Sequence, residues 1–141
     1  MRYLFALICL FIMSCNTLQH NQYNTNQNES SIQFVNQTSM MDVVEIAKKL
    51  KKPIFVDFYA SWCAPCKEMD QTTFRNEEII QLINSNFVAF KVDGETESGD
   101  RIKSIFEVKT YPTYLIVDEK GVEQKRLTGK SSIGAMIEFL K

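Results

Sequence analysis

Histidine is almost missing from this chain: the 141 residues contain one, His20, and no other follows it. Cysteine is scarce as well, with four in all and none after Cys66. A structural zinc site needs four Cys or His ligands, and beyond residue 31 the chain offers only Cys63 and Cys66. A c-type haem attachment needs His directly after the second cysteine, where Lys67 stands, and a Cys–His hydrolase would lack its base. Two cysteines three positions apart cannot staple a small secreted fold either, so the domain has to stand on a hydrophobic core.

An excess of one charge is also absent. The net charge is −1 with both signs interspersed, which leaves no electrostatic footprint for nucleic acid. The run Lys48, Lys49, Lys51, Lys52 reads as a solvated helix end. No apolar run is long enough to span a bilayer: Tyr3 to Met13, preceded by Arg2, falls short of the ~20 residues required and fits the core of a signal peptide. It ends in Ile12-Met13-Ser14-Cys15, which resembles the bacterial lipobox and makes Cys15 the expected lipidated residue; a plain secretory signal with an incidental cysteine is the alternative. From Asn16 to Ser31 the chain is mostly Asn, Gln, Ser and Thr, with Leu18 and Tyr23 isolated, which is tether composition. As a flexible coil it would have an r.m.s. span of ~20–24 Å. The expected layout is a signal peptide at 1–14, a lipidated N-terminus and tether at 15–31, and one globular domain at 32–141.

Within the domain, Ile32 to Val35 is a short strand candidate. Ser39-Met40-Met41-Asp42 opens a helix carrying Val43, Val44, Ile46, Ala47 and Leu50. Ile54 to Tyr59 is a near-continuous apolar and aromatic run, the signature of a strand covered on both faces, and is expected at the centre of the sheet. A helix follows from about Cys63 to Thr73 and another from Asn76, an N-cap with Glu77 and Glu78 in its first turn. The strand Phe87 to Val92, a short helix through Ile102, Ile105 and Phe106, and the strand Thr113 to Val117 come next. Asp118-Glu119-Lys120-Gly121 turns into a strand at Val122 to Leu127, and Ser131 or Ser132 caps a last helix. The order implies one mixed sheet with helices on both faces.

Trp62-Cys63-Ala64-Pro65-Cys66-Lys67 sits where the central strand hands over to a helix. There the first cysteine meets unpaired N–H groups and the positive end of the helix dipole, which lowers a thiol from ~8.5 towards neutrality. The second cysteine lies one turn on, a spacing that permits a disulfide and a resolving attack. Asp57 is hard to explain as structure, since an ionised carboxylate buried in an apolar strand costs several kcal/mol; an Asp turned to water at a sheet edge is the bland alternative.

The stretch Val56-Asp57-Phe58-Tyr59-Ala60-Ser61-Trp62-Cys63-Ala64-Pro65-Cys66-Lys67 resembles the thioredoxin family signature, and Thr110-Tyr111-Pro112-Thr113 occupies the place of that family's cis-proline loop. The resemblance runs from Ile32 to Lys141 in element order. The Lys-Lys-Pro start of the strand and Thr73-Phe74 look closer to the C-terminal periplasmic domain of membrane thiol:disulfide interchange reductases. The fold so implied is α/β, a thioredoxin-like three-layer α/β/α sandwich with a mixed central sheet.

The activity implied is thiol:disulfide exchange by Cys63 and Cys66, with Asp57 exchanging protons with Cys66 and no organic cofactor or metal. The resemblance also implies a cis Tyr111-Pro112 bond whose backbone pairs with substrate. Trp62 would shield the disulfide, or else belong to the core; Lys67 would assist the thiolate, or else be solvated. Gly129 would leave room beside the site, or else serve a turn. Ala64 replaces the glycine of ordinary thioredoxin, and the family's lysine near the buried Asp falls at Ala89 in this reading. The implied partners are disulfide-containing envelope proteins, an electron-donating membrane thiol reductase, and the membrane itself through the lipid on Cys15, with the protein a monomer on the periplasmic side of a bacterial envelope. A disulfide oxidase or isomerase with the same cysteines, and a non-catalytic tethered adaptor, are the alternatives. Mass spectrometry of the protein from its native membrane is expected to find acyl chains on Cys15; a mature N-terminus elsewhere in a freely soluble protein would remove the anchor.

Overall fold

The computed structural model describes residues 30–141. The signal peptide, Cys15, His20 and nearly all of the tether lie outside the described residues. Ten elements follow in order: α1 (Met40–Leu50), β1 (Ile54–Tyr59), α2 (Ala64–Gln71), a 3-10 turn (Thr73–Arg75), α3 (Glu77–Asn86), β2 (Val88–Asp93), α4 (Glu97–Ile105), β3 (Thr113–Val117), β4 (Glu123–Thr128) and α5 (Ile133–Leu140). The sheet runs β2-β1-β3-β4, with β1 parallel to β2 and the other neighbours antiparallel. This is the mixed sheet with helices on both faces that the element order implied, in the thioredoxin-like α/β arrangement that the resemblance implied.

Alternation along β1 divides the core. Ile54, Val56 and Phe58 point to one face, where they pack with Val43 and Ala47 of α1, Phe90 of β2 and Ile102 of α4. Phe55 points to the other, among Met69 of α2, Phe74, Ile79 and Ile83 of α3, Tyr114 of β3 and Met136 of α5. Covering both faces is why β1 reads as an unbroken apolar run. Phe55 stacks on Tyr114 with ring centroids 6.1 Å apart and meets Phe74 edge-on at 6.1 Å, which locks the α2 side of the sandwich.

The helix starts follow their caps. Ser39 accepts from Met41 N, Asn76 from Ile79 N, Thr96 from Gly99 N and Ser132 from Ala135 N. Each such cap stabilises its helix by about 0.5–2 kcal/mol. Helix α1 closes on Lys51, which takes the left-handed conformation at φ 53°.

One element differs from the expectation. Ile32 to Val35 does not form a strand; it makes a single bridge, Phe34 to Ala89, with Val35 N donating to Ala89 O at 2.8 Å. The Asn84 side chain accepts from Gln33 N at 2.9 Å and donates to Ser31 O at 3.0 Å, so a side chain and not a neighbouring strand meets the backbone at Gln33.

Candidate functional site

The carboxyl end of β1 is where the loops converge. The chain leaves Tyr59, turns through Ala60 to Trp62 and enters α2 at Cys63. Cys63 is itself the N-cap: its Sγ accepts the Cys66 N–H at 3.2 Å, a place where an oxygen side chain usually stands. Pro65 in the first turn fits because a helix start has no use for its missing N–H. Cys63 and Cys66 are joined in a disulfide with Cα atoms 5.3 Å apart, and both are buried. They form a small cluster with Ala60, against which Tyr59 and Tyr111 pack.

Thr113 pairs with Phe58, so the loop ahead of β3 lies beside the disulfide. The Tyr111-Pro112 bond in that loop is cis. Pro112 O accepts from Gly129 N at 2.8 Å, which ties in the loop after β4. Gly129 has φ +86°, and a Cβ there would meet nothing within 4 Å. The positive φ supports its reading as a turn glycine. Trp62 is 67% exposed, which removes it from the core, and its ring meets Tyr111 edge-on at 5.9 Å. Such pairs contribute about 0.5–1.5 kcal/mol beyond their buried area. Lys67 is exposed.

Asp57 is 2% exposed, in the middle of the sheet and not at an edge. It falls on the same face of β1 as Phe55, the face that α2 covers, and Cys66 and Met69 are the buried residues of α2. Its partner is Lys91 and not Ala89, the position at which the resemblance puts the family's lysine. The parallel register sets Ile54 opposite Val88 and therefore Asp57 opposite Lys91. Ala89 is opposite Phe55, one step along the same face. Lys91 Nζ lies 3.2 Å from Asp57 Oδ2 and 2.5 Å from Asp70 Oδ1 on α2, so one ammonium is shared by a buried and a half-exposed carboxylate.

Burial pushes Asp57 up to about 6, against the pull of Lys91. For Lys91 burial acts downward, but the two carboxylates together outweigh it and hold the ammonium above its ordinary range. The difference is physical: Asp57 is sealed on all sides and has one cation, whereas Lys91 keeps part of its surface in water and has two anions. Burial, reinforced by Asp57 and Asp70, also pushes the Tyr114 hydroxyl up.

Residues 35–119 match the family model described as thioredoxin-like. The chain belongs to that family. Among curated relatives, the thiol:disulfide interchange protein DsbD of Campylobacter jejuni is 33% identical over 127 residues, which cover 89% of this chain but 22% of the relative. This thioredoxin-like chain thus spans about a fifth of the length of such relatives. Among solved structures, a candidate disulphide-isomerase from Bacteroides thetaiotaomicron superposes with a TM-score of 0.69 at 27% identity, covering 79% of this chain and 91% of that one. The oxidised C-terminal domain of Neisseria meningitidis DsbD gives 0.60 at 26% identity, covering 74% and 93%. The chain is homologous to that C-terminal domain.

Two residues of the site are not legible in the sequence. Lys91 is two positions from Ala89, where the resemblance puts the family's lysine, and a strand's period of two places both on one face, so only the register separates them. Asp70 carried a faint signal at best, four residues after Cys66 on the same helix. Among the described residues no three His, Cys, Asp or Glu side chains converge as a metal site.

Because Asp57 holds its proton more tightly in the folded protein than in the unfolded chain, the stability it contributes is whole below about 3.8 and is lost as pH rises through about 6. That gap corresponds to about 3 kcal/mol. Urea unfolding of the wild type and Asp57→Asn across this range is expected to show the variant gaining on the wild type by about that amount between pH 4 and 7.5. Parallel profiles would mean that Asp57 is not desolvated as described.

Proposed function

We propose that the chain is a thiol:disulfide oxidoreductase that reduces disulfides in cell-envelope proteins while tethered to a membrane at Cys15. One observation carries this reading: Cys63 and Cys66 are disulfide-bonded at the first turn of α2, with the Cys63 sulfur accepting a helix N–H, beside the Tyr111-Pro112 loop. The names of the relatives agree with the chemistry. The envelope location and the anchor rest on the sequence motif alone; no helix of the described residues is long and apolar enough to cross a membrane.

In the reduced enzyme the Cys63 thiolate attacks one sulfur of a substrate disulfide. A Cys63–substrate disulfide forms and the other substrate sulfur leaves as a thiolate, to be protonated. Cys66 then gives up its proton and attacks the Cys63 sulfur, which closes the Cys63–Cys66 disulfide and releases the second substrate thiol. Two electrons pass to the substrate. A dithiol donor in the envelope, such as a membrane thiol reductase, returns them by the same exchange in reverse.

Asp57 is the acceptor for the Cys66 proton. Moving a proton from a thiol at ~8.5 to an ordinary carboxylate at ~3.9 is uphill by about 6 kcal/mol, and to one near 6 by about 3. Burial therefore makes the carboxylate a better base, and Lys91 keeps it ionised enough to serve. Asp57→Asn is expected to slow resolution of the mixed disulfide about 10²-fold or more, the usual contribution of a positioned base, while attack by Cys63 changes much less. Quenched-flow trapping of the mixed disulfide separates the two steps, and equal effects on both would take Asp57 out of the mechanism.

Direction follows from what surrounds the Cys63 sulfur. Ala64 and Pro65 bring it no charge and no side-chain donor, so the reduced form lacks the stabilisation that makes a disulfide strongly oxidising, near ~−120 mV against ~−270 mV for thioredoxin. The difference is about 7 kcal/mol for two electrons, beyond the reach of an exposed Lys67, since surface charge effects amount to ~1 kcal/mol or less. Equilibration with glutathione is expected to give a potential nearer the thioredoxin value. A result above roughly −170 mV would turn the assignment to an oxidase.

A further inference from the structure

Tyr111 does more than precede Pro112. Its ring packs on the cluster of Ala60, Cys63 and Cys66, and its hydroxyl ends against the loop after β2. A Cβ at Gly94 would sit 2.0 Å from the Tyr111 hydroxyl oxygen and 2.8 Å from Cζ, so only glycine leaves space for the ring tip. Contact, not backbone conformation, is what demands glycine there. Gly94 N donates to Tyr59 O at 2.9 Å, which anchors this seat to the end of β1. The next residue, Glu95, accepts the Tyr111 hydroxyl on Oε1 at 3.1 Å. Lys103 Nζ, paired with Asp100 at 3.0 Å, lies 5.9 Å from the ring centroid.

The tyrosine is thus held at its tip while its ring meets Trp62 edge-on at 69°. Trp62 keeps two thirds of its surface in water. A large exposed aromatic braced by a fixed neighbour, directly before the first cysteine, is a surface prepared for contact and not for the core.

We infer that Gly94 and Glu95 are positioning residues for substrate recognition: they seat the Tyr111 hydroxyl so that Tyr111 and Trp62 form a fixed apolar wall for an aromatic or aliphatic side chain next to the reacting cysteine of an extended peptide. The inference rests on Cys63 and Cys66 being the exchanging pair, in either direction of electron flow. A preset wall binds such a side chain without the ordering cost that a loose pair of rings would incur. It also makes the preference one of binding, so loss of the seat raises KM more than it lowers kcat.

The test uses two disulfide-bonded peptides that differ only in Phe or Ser beside the cysteine, together with the emission of Trp62, the chain's single tryptophan. The wild type is expected to favour the Phe peptide about tenfold in kcat/KM, the low end of what one apolar side chain confers. Glu95→Ala should cut that preference to about threefold, through KM, and shift the Trp62 emission, as loss of one hydrogen bond allows. Glu95→Gln keeps an acceptor and should restore both. Gly94→Ala, whose methyl would strike the Tyr111 hydroxyl oxygen and Cζ alike, should behave as Glu95→Ala does. No exchange by the wild type with either peptide would sink the oxidoreductase reading and the wall with it. Exchange without preference, or a preference and emission that Glu95→Ala leaves whole, would sink the wall alone.

Discussion

The Lys91 ammonium stands 3.2 Å from Asp57 and 2.5 Å from Asp70, bridging the central strand of the sheet to the helix that carries the cysteines. A carboxylate sealed in an apolar layer has to find a counter-charge or keep its proton, and this one does some of each. The lysine is close enough to hold it partly ionised, and burial is strong enough to keep it near neutrality. Much of the local architecture serves that compromise. The parallel pairing of β1 with β2 brings Lys91 across from Asp57, and α2 lies over the same face with Asp70 at its far end.

The cysteines depend on a second constraint at the other end of that helix. A helix start leaves N–H groups unpaired, and here a sulfur accepts one of them. In the proposed mechanism the atom that caps α2 is also the attacking sulfur, so the helix start itself would supply its electrostatic setting. Breaking the disulfide leaves that N–H facing a thiolate, which it stabilises.

Around this pair the loops divide the work. The Tyr111-Pro112 segment and the Gly129 turn are joined by one backbone hydrogen bond, and the Gly94-Glu95 segment is joined to β1 by another. All of them meet at the carboxyl end of β1. The core on each face of the sheet holds that end rigid, and rigidity there is what lets short loops carry precise contacts.

Residue patterning alone decided a good deal. The unbroken run at Ile54 to Tyr59, the N-caps Ser39, Asn76 and Ser132, and the Cys-Ala-Pro-Cys step from strand to helix are local signals. Local physics, namely side-chain period and the unpaired groups of helix ends, converts them directly into elements. The scarcity of histidine and cysteine counted in the same way against a structural zinc site, a c-type haem and a Cys–His hydrolase. Neighbours in space were another matter. Whether Ala89 or Lys91 faces Asp57 depends on the register of two strands separated by two helices, and a period of two cannot choose between positions two apart. The missing strand at Ile32 to Val35 is a similar case, because Gln33 N bonds to the side chain of Asn84, some fifty residues away in sequence. The seat of Tyr111 on Gly94 joins two loops that only the closed sheet brings into contact. Sequence determined which residues could react; the tertiary structure decided which charges and contacts surround them, because those are set by pairing across long stretches of chain.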